Sequence, residues 1–457
     1  MAERLIVVGG DAAGMAAASQ ARRRRDRSDL EIVAFERGHF TSYSACGIPY
    51  WIGGLVPDRE QLVARDPETF RESFDIDVRL RHEVTGIDLD RREVVARDLA
   101  GGGEVREWFD HLVYATGASP LTPEWARTDA DGVFGVQTLD DGAALLEWLD
   151  REPRPRRAVV VGGGYIGVEM AEALIQRGLT VDLVEQADHP MSTVDADMAG
   201  LVAEAMRGIG IGIRTGLAVT GLETRDGRVS AVVTAEGPLP ADVVVLGLGV
   251  RPNTTVAEAA GLPIGPSGGV RTDRRMRVPG VPGVWAAGDC VETLHLVSGL
   301  PVHIPLGTHA NKQGRVAGIN IGGGYATFPG VIGTAVTKVC DLEVGRTGLR
   351  ERDAEAAGFE FVSVVAESTS RAGYYPGARP MTVKLLAERP SGRLLGAQIV
   401  GWSEAAKRID TLAVALWNGM TVDEMTALDL GYAPPYAPVW DPVLIAARKA
   451  VDTLARR

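Results

Sequence analysis

The sequence predicts an α/β fold that contains two Rossmann-like dinucleotide-binding units. The main observation is a glycine-rich turn that follows a short apolar strand at Gly9 and recurs in the same context at Gly162. Glycine is also unusually common, with 56 of 457 residues, or about 12% against a typical ~7%. We expect much of this excess to lie in phosphate-binding turns and in close backbone contacts. The length is compatible with about three domains.

The composition narrows the class of protein. Acidic residues outnumber basic ones by 60 to 48, and the resulting net charge of −12 weighs against a nucleic-acid partner. Three cysteines exclude a disulfide-rich scaffold and fit a reducing compartment. The chain opens without a secretory-signal pattern, and no stretch of about 18 uncharged apolar residues predicts a membrane helix. We therefore expect a cytoplasmic protein without a membrane partner or a metal site.

The first unit begins with the apolar strand Leu5–Val8, which leads into a turn that runs from Gly9 to Gly14. A helix of small residues and a second strand follow, and that strand ends at Glu36. In such a βαβ unit the helix N-terminus faces a pyrophosphate, and the acidic residue binds ribose hydroxyls. Asp11 departs from the motif because it occupies the place of the second glycine. We predict that Gly9, Gly14 and Glu36 contact a dinucleotide.

The second unit carries the complete G-x-G-x-x-G spacing, and its second strand ends at an acidic residue. That carboxylate can bond a free ribose 2′-hydroxyl and would repel a 2′-phosphate. No arginine or lysine lies between Arg177 and Arg207 to bind such a phosphate, so NADH is favoured over NADPH. The residues predicted to contact this dinucleotide are Gly162, Gly164, Ile166, Gly167 and Glu185.

Two further segments point to a second nucleotide, with FAD the expected one. Each is a short strand that ends in a tight turn, Thr116-Gly117 in one case and Gly288-Asp289 in the other. Asp289 would lie at the carboxyl end of its strand, where open α/β sheets bind ligands.

These motifs, together with the segment that begins at Gly249, resemble those of the pyridine nucleotide-disulfide oxidoreductases, and the resemblance spans essentially the whole chain. It implies bound FAD and NADH, with NADPH as the second option, and it places Thr116, Gly117, Gly249 and Asp289 at the cofactors. In that family, the aspartate that matches Asp289 binds the ribityl chain of the flavin.

The resemblance also implies an order of domains. An FAD-binding domain, residues 1–119 and 246–325, is interrupted by an NAD(P)-binding domain, residues 120–245. A C-terminal α+β dimerisation domain, residues 326–457, completes the chain. The expected assembly is a homodimer.

A single cysteine defines the subgroup. Members similar to glutathione reductase carry a second cysteine five residues after the first, but the position five residues after Cys46 is Trp51. We expect a helix N-terminus to lower the pKa of the Cys46 thiol. Without a partner thiol, the cysteine must cycle through a mixed disulfide or a sulfenic acid. We expect Cys290 and Cys340 to be structural.

The segment around Cys46 is similar to the coenzyme A-disulfide reductases, NADH oxidases, NADH peroxidases and CoA-persulfide reductases. The peroxidases and oxidases carry a histidine where this chain has Ala12, which disfavours that branch. The segments around Tyr374 and Tyr432 resemble the tyrosine motifs of CoA-disulfide reductases, in which tyrosines of the partner subunit reach the cysteine. Tyr374 is preferred to the adjacent Tyr375.

The resemblance further places Gln20, Arg23 and Ser42 at the CoA moiety, where an arginine suits phosphate recognition. Ala45 replaces the asparagine that many CoA-disulfide reductases carry before the cysteine. The predicted function is reduction of CoA disulfide, or of CoA persulfide or polysulfide, by NAD(P)H through FAD and Cys46. Two alternatives stay open: an NADH oxidase that uses a cysteine sulfenic acid, and a flavoprotein redox sensor that turns over slowly.

Overall fold

The first glycine-rich turn lies in a parallel sheet, as shown by a computed structural model that describes residues 2–456 of the chain. Strand β1 pairs in parallel with β2 on one side and with β7 on the other, and its residues Leu5, Ile6 and Val7 are fully buried. A short 3₁₀ turn, Ala45–Gly47, carries Cys46 into α2. The elements of this region are β1 (Glu3–Val8), α1 (Ala12–Arg22), β2 (Leu30–Phe35), α2 (Ile48–Ile52), α3 (Pro67–Phe74), β3 (Ile76–Arg79), β4 (His82–Asp88), β5 (Glu93–Asp98), β6 (Glu104–Trp108) and β7 (His111–Tyr114).

The second glycine-rich turn lies in a second five-stranded parallel sheet, in the order β12-β11-β10-β16-β9. Strands β13, β14 and β15 form a separate antiparallel sheet, and β8 pairs with β17. The elements of this region are β8 (Ala118–Pro120), β9 (Val133–Gly135), α4 (Leu139–Leu149), β10 (Arg157–Val161), α5 (Tyr165–Gln176), β11 (Thr180–Val184), α6 (Ala196–Gly208), β12 (Gly212–Arg214), β13 (Val219–Arg225), β14 (Arg228–Thr234), β15 (Gly237–Pro240), β16 (Val243–Leu246) and β17 (Val250–Pro252).

The next segment returns to the first sheet, whose complete order is β18-β7-β1-β2-β3. Its elements are α7 (Thr255–Ala259), β18 (Val284–Ala286), β19 (Thr293–Leu294), β20 (Pro301–Val302) and α8 (Gly307–Ile321). Helix α8 packs directly on α1, because a Cβ atom at Gly314 would lie only 2.1 Å from the carbonyl oxygen of Ala13. The first sheet is therefore built from two parts of the chain that the second sheet separates.

The C-terminal region is an antiparallel sheet with helices on it, in the order β21-β22-β25-β24-β23. Residues of α10 and α12 share a buried apolar core with this sheet. Large apolar side chains remain exposed on this region, among them Val414, Trp417, Val439 and Trp440. Its elements are β21 (Ala335–Val339), β22 (Leu342–Gly348), α9 (Glu351–Ala356), β23 (Phe361–Thr369), β24 (Pro380–Glu388), β25 (Leu394–Gly401), α10 (Ala405–Trp417), α11 (Val422–Met425) and α12 (Pro442–Ala455).

These sheets confirm the predicted fold class: two parallel α/β units and a C-terminal α+β region. One apolar core links them near Cys46. It joins Ile48 and Trp51 of α2 with residues of the second parallel sheet and with Val339 and Val344 of the C-terminal sheet. Within residues 2–456, no helix is both long enough and apolar enough to cross a bilayer.

Candidate active site

The first glycine turn has no room for side chains at two of its predicted contact positions. A Cβ atom at Gly9 would lie 2.1 Å from the carbonyl oxygen of Ala115, and one at Gly14 would lie 1.9 Å from that of Gly9. Helix α1 begins at Ala12 with no acidic residue in its first turn, and Asp11 makes no side-chain cap. Among residues 2–456, no side chain caps the first backbone N–H groups of the helix, which fits a phosphate-binding site.

The second turn repeats this geometry. A Cβ atom at Gly162 would lie 2.4 Å from the carbonyl oxygen of Gly247, and one at Gly167 would lie 1.9 Å from that of Gly162. Helix α5 begins directly after Gly164, with no side-chain cap and no acidic residue in its first turn. Ile166 lies in that first turn and packs against the apolar core of the second sheet.

The two predicted acidic residues occupy equivalent places. Glu36 Oε2 accepts a hydrogen bond from the backbone N–H of Gly10 at 2.8 Å, and Glu185 Oε2 accepts one from Gly163 at 2.6 Å. Each carboxylate thus stands beside its glycine turn at the end of the neighbouring strand. This arrangement fits a ribose next to a pyrophosphate in both units.

Two distant segments meet at the predicted Thr116-Gly117 turn. The Thr116 hydroxyl donates to the carbonyl oxygen of Asn253 at 2.7 Å, and the Asn253 amide donates back to the carbonyl oxygen of Thr116 at 2.9 Å. Gly117 and Gly249 have φ angles of 66° and 87°, a region that favours glycine. A residue other than glycine would therefore be strained at either position.

Asp289 lies close to the first glycine turn. The adjacent Gly288 leaves no space against α1, since a Cβ atom there would lie 2.8 Å from the Cβ of Ala13. Burial raises the pKa of Asp289, and the nearby His303 opposes this shift. The carboxylate is thus partly shielded from water beside the N-terminus of α1.

Cys46 lies where both units meet, and one expectation about it was wrong. The Cys46 side chain is exposed to solvent, but the protein atoms packed around it desolvate the thiol and raise its pKa, and the charges of Glu169 and Asp289 raise it further. The sequence predicts a lowered pKa. The difference arises because desolvation of the thiol, together with two carboxylates from distant parts of the chain, outweighs the dipole of α2, which has only five residues.

The loop that carries Cys46 is bonded to the first glycine turn. The Tyr43 backbone N–H donates to Asp11 Oδ1 at 3.1 Å, and the Thr41 hydroxyl donates to the carbonyl oxygen of Gly10. Burial raises the pKa of Asp11 to about 6. The sequence analysis describes Asp11 only as a departure from the glycine motif and does not assign it a contact. This departure was the signal that could have predicted its bond to the Tyr43 backbone.

Glu169 is a second residue that sequence reasoning did not place in the site. It lies on α5, three residues after Ile166, and its Oε1 accepts a hydrogen bond from the Thr337 hydroxyl at 2.6 Å. Burial raises the pKa of Tyr50 to about 12, and Glu169, Glu172 and Cys46 act in the same direction. The only signal for Glu169 in the sequence is its position on the helix that follows the second glycine turn, three residues after Ile166.

The two predicted tyrosines are neighbours on the C-terminal region. Tyr374 and Tyr432 are 77% and 49% exposed. Residual burial raises the pKa of Tyr432, and the Tyr374 hydroxyl contributes to that shift. Within residues 2–456 of one chain, no hydrogen bond joins either hydroxyl to Cys46.

The residues predicted to contact CoA fall into two places. Gln20 and Arg23 lie at the C-terminal end of α1, and Ser42 lies in the loop before Cys46 with a φ of 51°. The guanidinium of Arg23 is exposed and makes no hydrogen bond within residues 2–456. The preceding Arg22 is different, since it donates to the carbonyl oxygens of Phe74 and Asp75.

Comparison with known protein families identifies the chain. The family described as Pyridine nucleotide-disulphide oxidoreductase matches residues 3–314, and its dimerisation domain matches residues 334–442. The chain belongs to this family. Its members are oxidoreductases that depend on FAD and NAD(P)H. The predicted enzyme class is confirmed, and the dimerisation domain supports a homodimer.

Individual members of the oxidoreductase family align over nearly the full chain. An NAD(P)H coenzyme A polysulfide/persulfide reductase of Pyrococcus horikoshii is 38% identical over 450 residues, 98% of each chain. An NADH oxidase of Methanocaldococcus jannaschii is 34% identical over 99% of this chain and 100% of its own. A coenzyme A disulfide reductase of Staphylococcus haemolyticus is 28% identical over 98% of this chain and 99% of its own.

A solved structure of the oxidoreductase family has the same fold. A NAD-dependent persulfide reductase from A. fulgidus superposes with a TM-score of 0.94 at 41% identity, and the match covers 98% of this chain and 83% of that one. The two glycine turns, each with its free helix N-terminus and its carboxylate, fit the two dinucleotides of the family.

Proposed function

We propose that the protein reduces CoA disulfide or CoA persulfide with electrons from NAD(P)H, through bound FAD and the single cysteine Cys46. One observation carries the proposal: a lone thiol stands between two dinucleotide-binding units. Cys290 is fully buried, and Cys340 lies on the hairpin between β21 and β22. Similarity to a CoA polysulfide/persulfide reductase and to a CoA disulfide reductase supports the choice of acceptor.

The chain's own residues would bind the two cofactors. FAD would lie at the first turn, against the site formed by Gly9, Gly14, Glu36, Thr116, Gly117 and Asp289. NADH would lie at the second turn, against Gly162, Gly164, Ile166, Gly167, Glu185 and Gly249. When bound, the flavin carries two electrons from the nicotinamide to the sulfur on Cys46.

Cys46 would do the sulfur chemistry. Its thiolate attacks one sulfur of CoA disulfide, the S–S bond breaks, and a mixed disulfide forms as one CoA thiolate leaves. Tyr374 and Tyr432, supplied by the partner subunit, would protonate the leaving thiolate. Two electrons and a proton then convert the mixed disulfide into the Cys46 thiolate and a second CoA thiol, which completes the cycle.

The remaining parts of the proposal concern binding and assembly. Gln20, Arg23 and Ser42 would contact the CoA moiety, and the exposed Arg23 guanidinium is available for a phosphate. We also propose that the first FAD-binding segment ends at residue 119, the NAD(P)-binding domain at residue 245 and the second FAD-binding segment at residue 325.

Replacement of Cys46 tests this function. In Cys46→Ser we expect the rate of NADH-dependent CoA-disulfide reduction to fall at least about 100-fold, because no other thiol can form the mixed disulfide. The FAD content should be unchanged. Cys340→Ser is the matched control and should keep the wild-type rate. Full turnover by Cys46→Ser would contradict the mechanism.

Intact mass distinguishes the acceptor chemistry. We expect native protein to carry a CoA adduct on Cys46 that a thiol reductant removes. The rival function is an NADH oxidase, which the similarity to the M. jannaschii protein supports. Oxygen consumption equal to the disulfide-dependent oxidation of NADH, together with a Cys46 free of CoA, would favour the oxidase.

A further inference from the structure

A loop beside the second glycine turn is held from two sides. This loop, residues 185–195, joins β11 to α6. At its start, the Glu185 carboxylate accepts hydrogen bonds from the backbone N–H groups of Gly163 and Ala187, at 2.6 and 2.8 Å. The Met191 N–H donates to the carbonyl oxygen of Gly163 at 2.7 Å. These bonds fix the loop to the turn at which NADH would bind.

The other side of the loop is bonded to the dimerisation domain. Arg346 Nη1, on β22, donates to the carbonyl oxygen of Thr193 at 3.1 Å. Arg350 Nη1, directly before α9, donates to the carbonyl oxygen of Ser192. Asp353 orients the Arg350 guanidinium with two hydrogen bonds, at 2.7 and 2.9 Å. Two arginines of one domain thus hold adjacent carbonyl groups of another.

The end of the loop is held by a charge cluster around the buried Lys384. Gln398 exchanges two hydrogen bonds with Asp195, at 2.8 Å to its N–H and 2.6 Å to its carboxylate. Lys384 is 2% exposed and lies 3.2, 2.8 and 2.9 Å from the carboxylates of Asp195, Asp197 and Glu351. The cluster fastens the first residues of α6 to the C-terminal sheet.

Arg346 also lies close to the glycine turn itself. Burial lowers the pKa of Arg346, and Tyr165, at the start of α5, is among the titratable groups whose charge affects it. Burial lowers the pKa of His295 to about 4, and the charge of Arg346 acts in the same direction. Arg346 is half-buried, and a guanidinium that is partly removed from water is costly without hydrogen-bond partners, so the Thr193 carbonyl stabilises it at this junction.

We propose that Arg346 and Arg350 are positioning residues for the reduced dinucleotide. They hold loop 185–195 by its main-chain carbonyls, so that the Glu185 carboxylate is already in place when NADH arrives. A loop that is ordered before binding loses less conformational entropy on binding, which raises affinity. The inference rests on the proposed function in that NADH is taken to bind at Glu185.

The test uses Arg346→Met and Arg350→Met in the full-length holoprotein. Each variant loses its bond to the loop but keeps an unbranched apolar side chain in place of the arginine stem. We expect the KM for NADH and the Kd for NAD⁺ to rise about tenfold, as for the loss of a charged hydrogen bond. The kcat at saturating NADH, the FAD content and the KM for CoA disulfide should stay within about twofold.

Control variants separate positioning from stability. Arg393→Met removes a partly buried arginine of the same domain that pairs with Glu388 rather than with the loop, and it should leave the KM for NADH unchanged. Arg346→Lys keeps one donor for the Thr193 carbonyl, and it should recover most of the affinity. Greater hydrogen exchange of residues 186–194 in Arg346→Met would support the proposal.

Two outcomes would overturn the proposal. The first is a KM for NADH within about twofold of the wild-type value in both methionine variants. The second is an unchanged KM for NADH in Arg350→Lys, which is the deciding variant if the methionine variants do not fold. Because Lys cannot reproduce both the Asp353 pair and the Ser192 bond, a raised KM in Arg350→Lys would support the proposal. Failure of the proposed function is distinct, because wild-type protein would then not oxidise NADH with CoA disulfide.

Discussion

At the scale of single residues, Cys46 combines two opposing features. It is the only cysteine at the junction of the two dinucleotide units, yet desolvation by the surrounding protein, together with the carboxylates of Glu169 and Asp289, raises the pKa of its thiol. A raised pKa means less thiolate at neutral pH but a more nucleophilic one when it forms. In the proposed cycle, the carboxylates would also disfavour anions near the thiol, which would help a newly formed CoA thiolate to leave.

Replacement of Glu169 tests this electrostatic effect. In Glu169→Gln the negative charge is lost, so the pKa of the Cys46 thiol should fall and its thiolate fraction at neutral pH should rise. We expect the iodoacetamide alkylation of reduced Cys46 to become several-fold faster at neutral pH, with a smaller gain at alkaline pH. Peptide mass spectrometry across a pH series would measure this.

Glu172→Gln is the matched control for Glu169→Gln. Glu172 lies one turn further along α5 and accepts a hydrogen bond from the Cys340 N–H at 2.8 Å, but it is not among the groups that shift the pKa of Cys46. Its variant should alkylate at the wild-type rate. Equal rates in Glu169→Gln and wild-type protein would show that the Glu169 charge does not reach the thiol.

At the scale of elements, the two glycine turns could be predicted from sequence because their geometry dictates their residues. Gly9 and Gly162 each face a carbonyl oxygen within 2.4 Å of where a Cβ atom would be, so substitutions there are excluded locally. The environment of Cys46 could not be predicted in this way. Glu169 and Asp289 lie far from it along the chain, and only the packing of the two sheets brings their charges to the thiol.

We expect the acidic residue after β11, Glu185, to determine which reduced dinucleotide is used. In the double variant Glu185→Ser, Gln186→Arg, the carboxylate that repels a 2′-phosphate is lost and a cation that binds it is gained. We expect the ratio of kcat/KM for NADPH to that for NADH to rise about 100-fold. Steady-state kinetics with both dinucleotides would measure this.

Glu185→Gln serves as the control for the double variant, because it removes the charge but keeps the size and one acceptor for the Gly163 N–H. Its ratio should move in the same direction by a smaller amount. If the ratio of the double variant equalled that of wild-type protein, the second turn would not be the site that distinguishes the two dinucleotides.

At the scale of the whole molecule, the position of the tyrosines predicts a site shared between subunits. Tyr374 and Tyr432 are exposed neighbours in one chain, and we expect them to act on the cysteine of the partner subunit. When Cys46→Ser and Tyr432→Phe proteins are mixed, unfolded and refolded together, half of the dimers should be mixed ones. Each mixed dimer would hold one intact site, so activity should recover to about a quarter of the wild-type value.

The two parent proteins, each refolded alone, are the baseline for this complementation. If Tyr432 acted on the cysteine of its own chain, no mixed dimer would contain an intact site and activity would stay at that baseline. Size-exclusion chromatography of the refolded mixture would confirm that dimers have formed.

The junction between the second unit and the dimerisation domain could not be anticipated from sequence. Arg346 and Arg350 sit in a region with no motif, and their partners Thr193 and Ser192 are separated from them by about 150 residues of chain. Backbone carbonyls are acceptors whatever the residue, so no residue type marks such a contact. The order of domains, in contrast, followed from the resemblance to a known family.

The interrupted first sheet has a consequence for synthesis on the ribosome. Strand β18 and helix α8, which complete that sheet and pack on α1, emerge only after every strand of the second sheet has been made. The second unit is contiguous, so it is free to fold as a body during translation. The first unit must wait with an open sheet edge beside β7. We therefore expect FAD to be captured late in translation, after the second unit has been made.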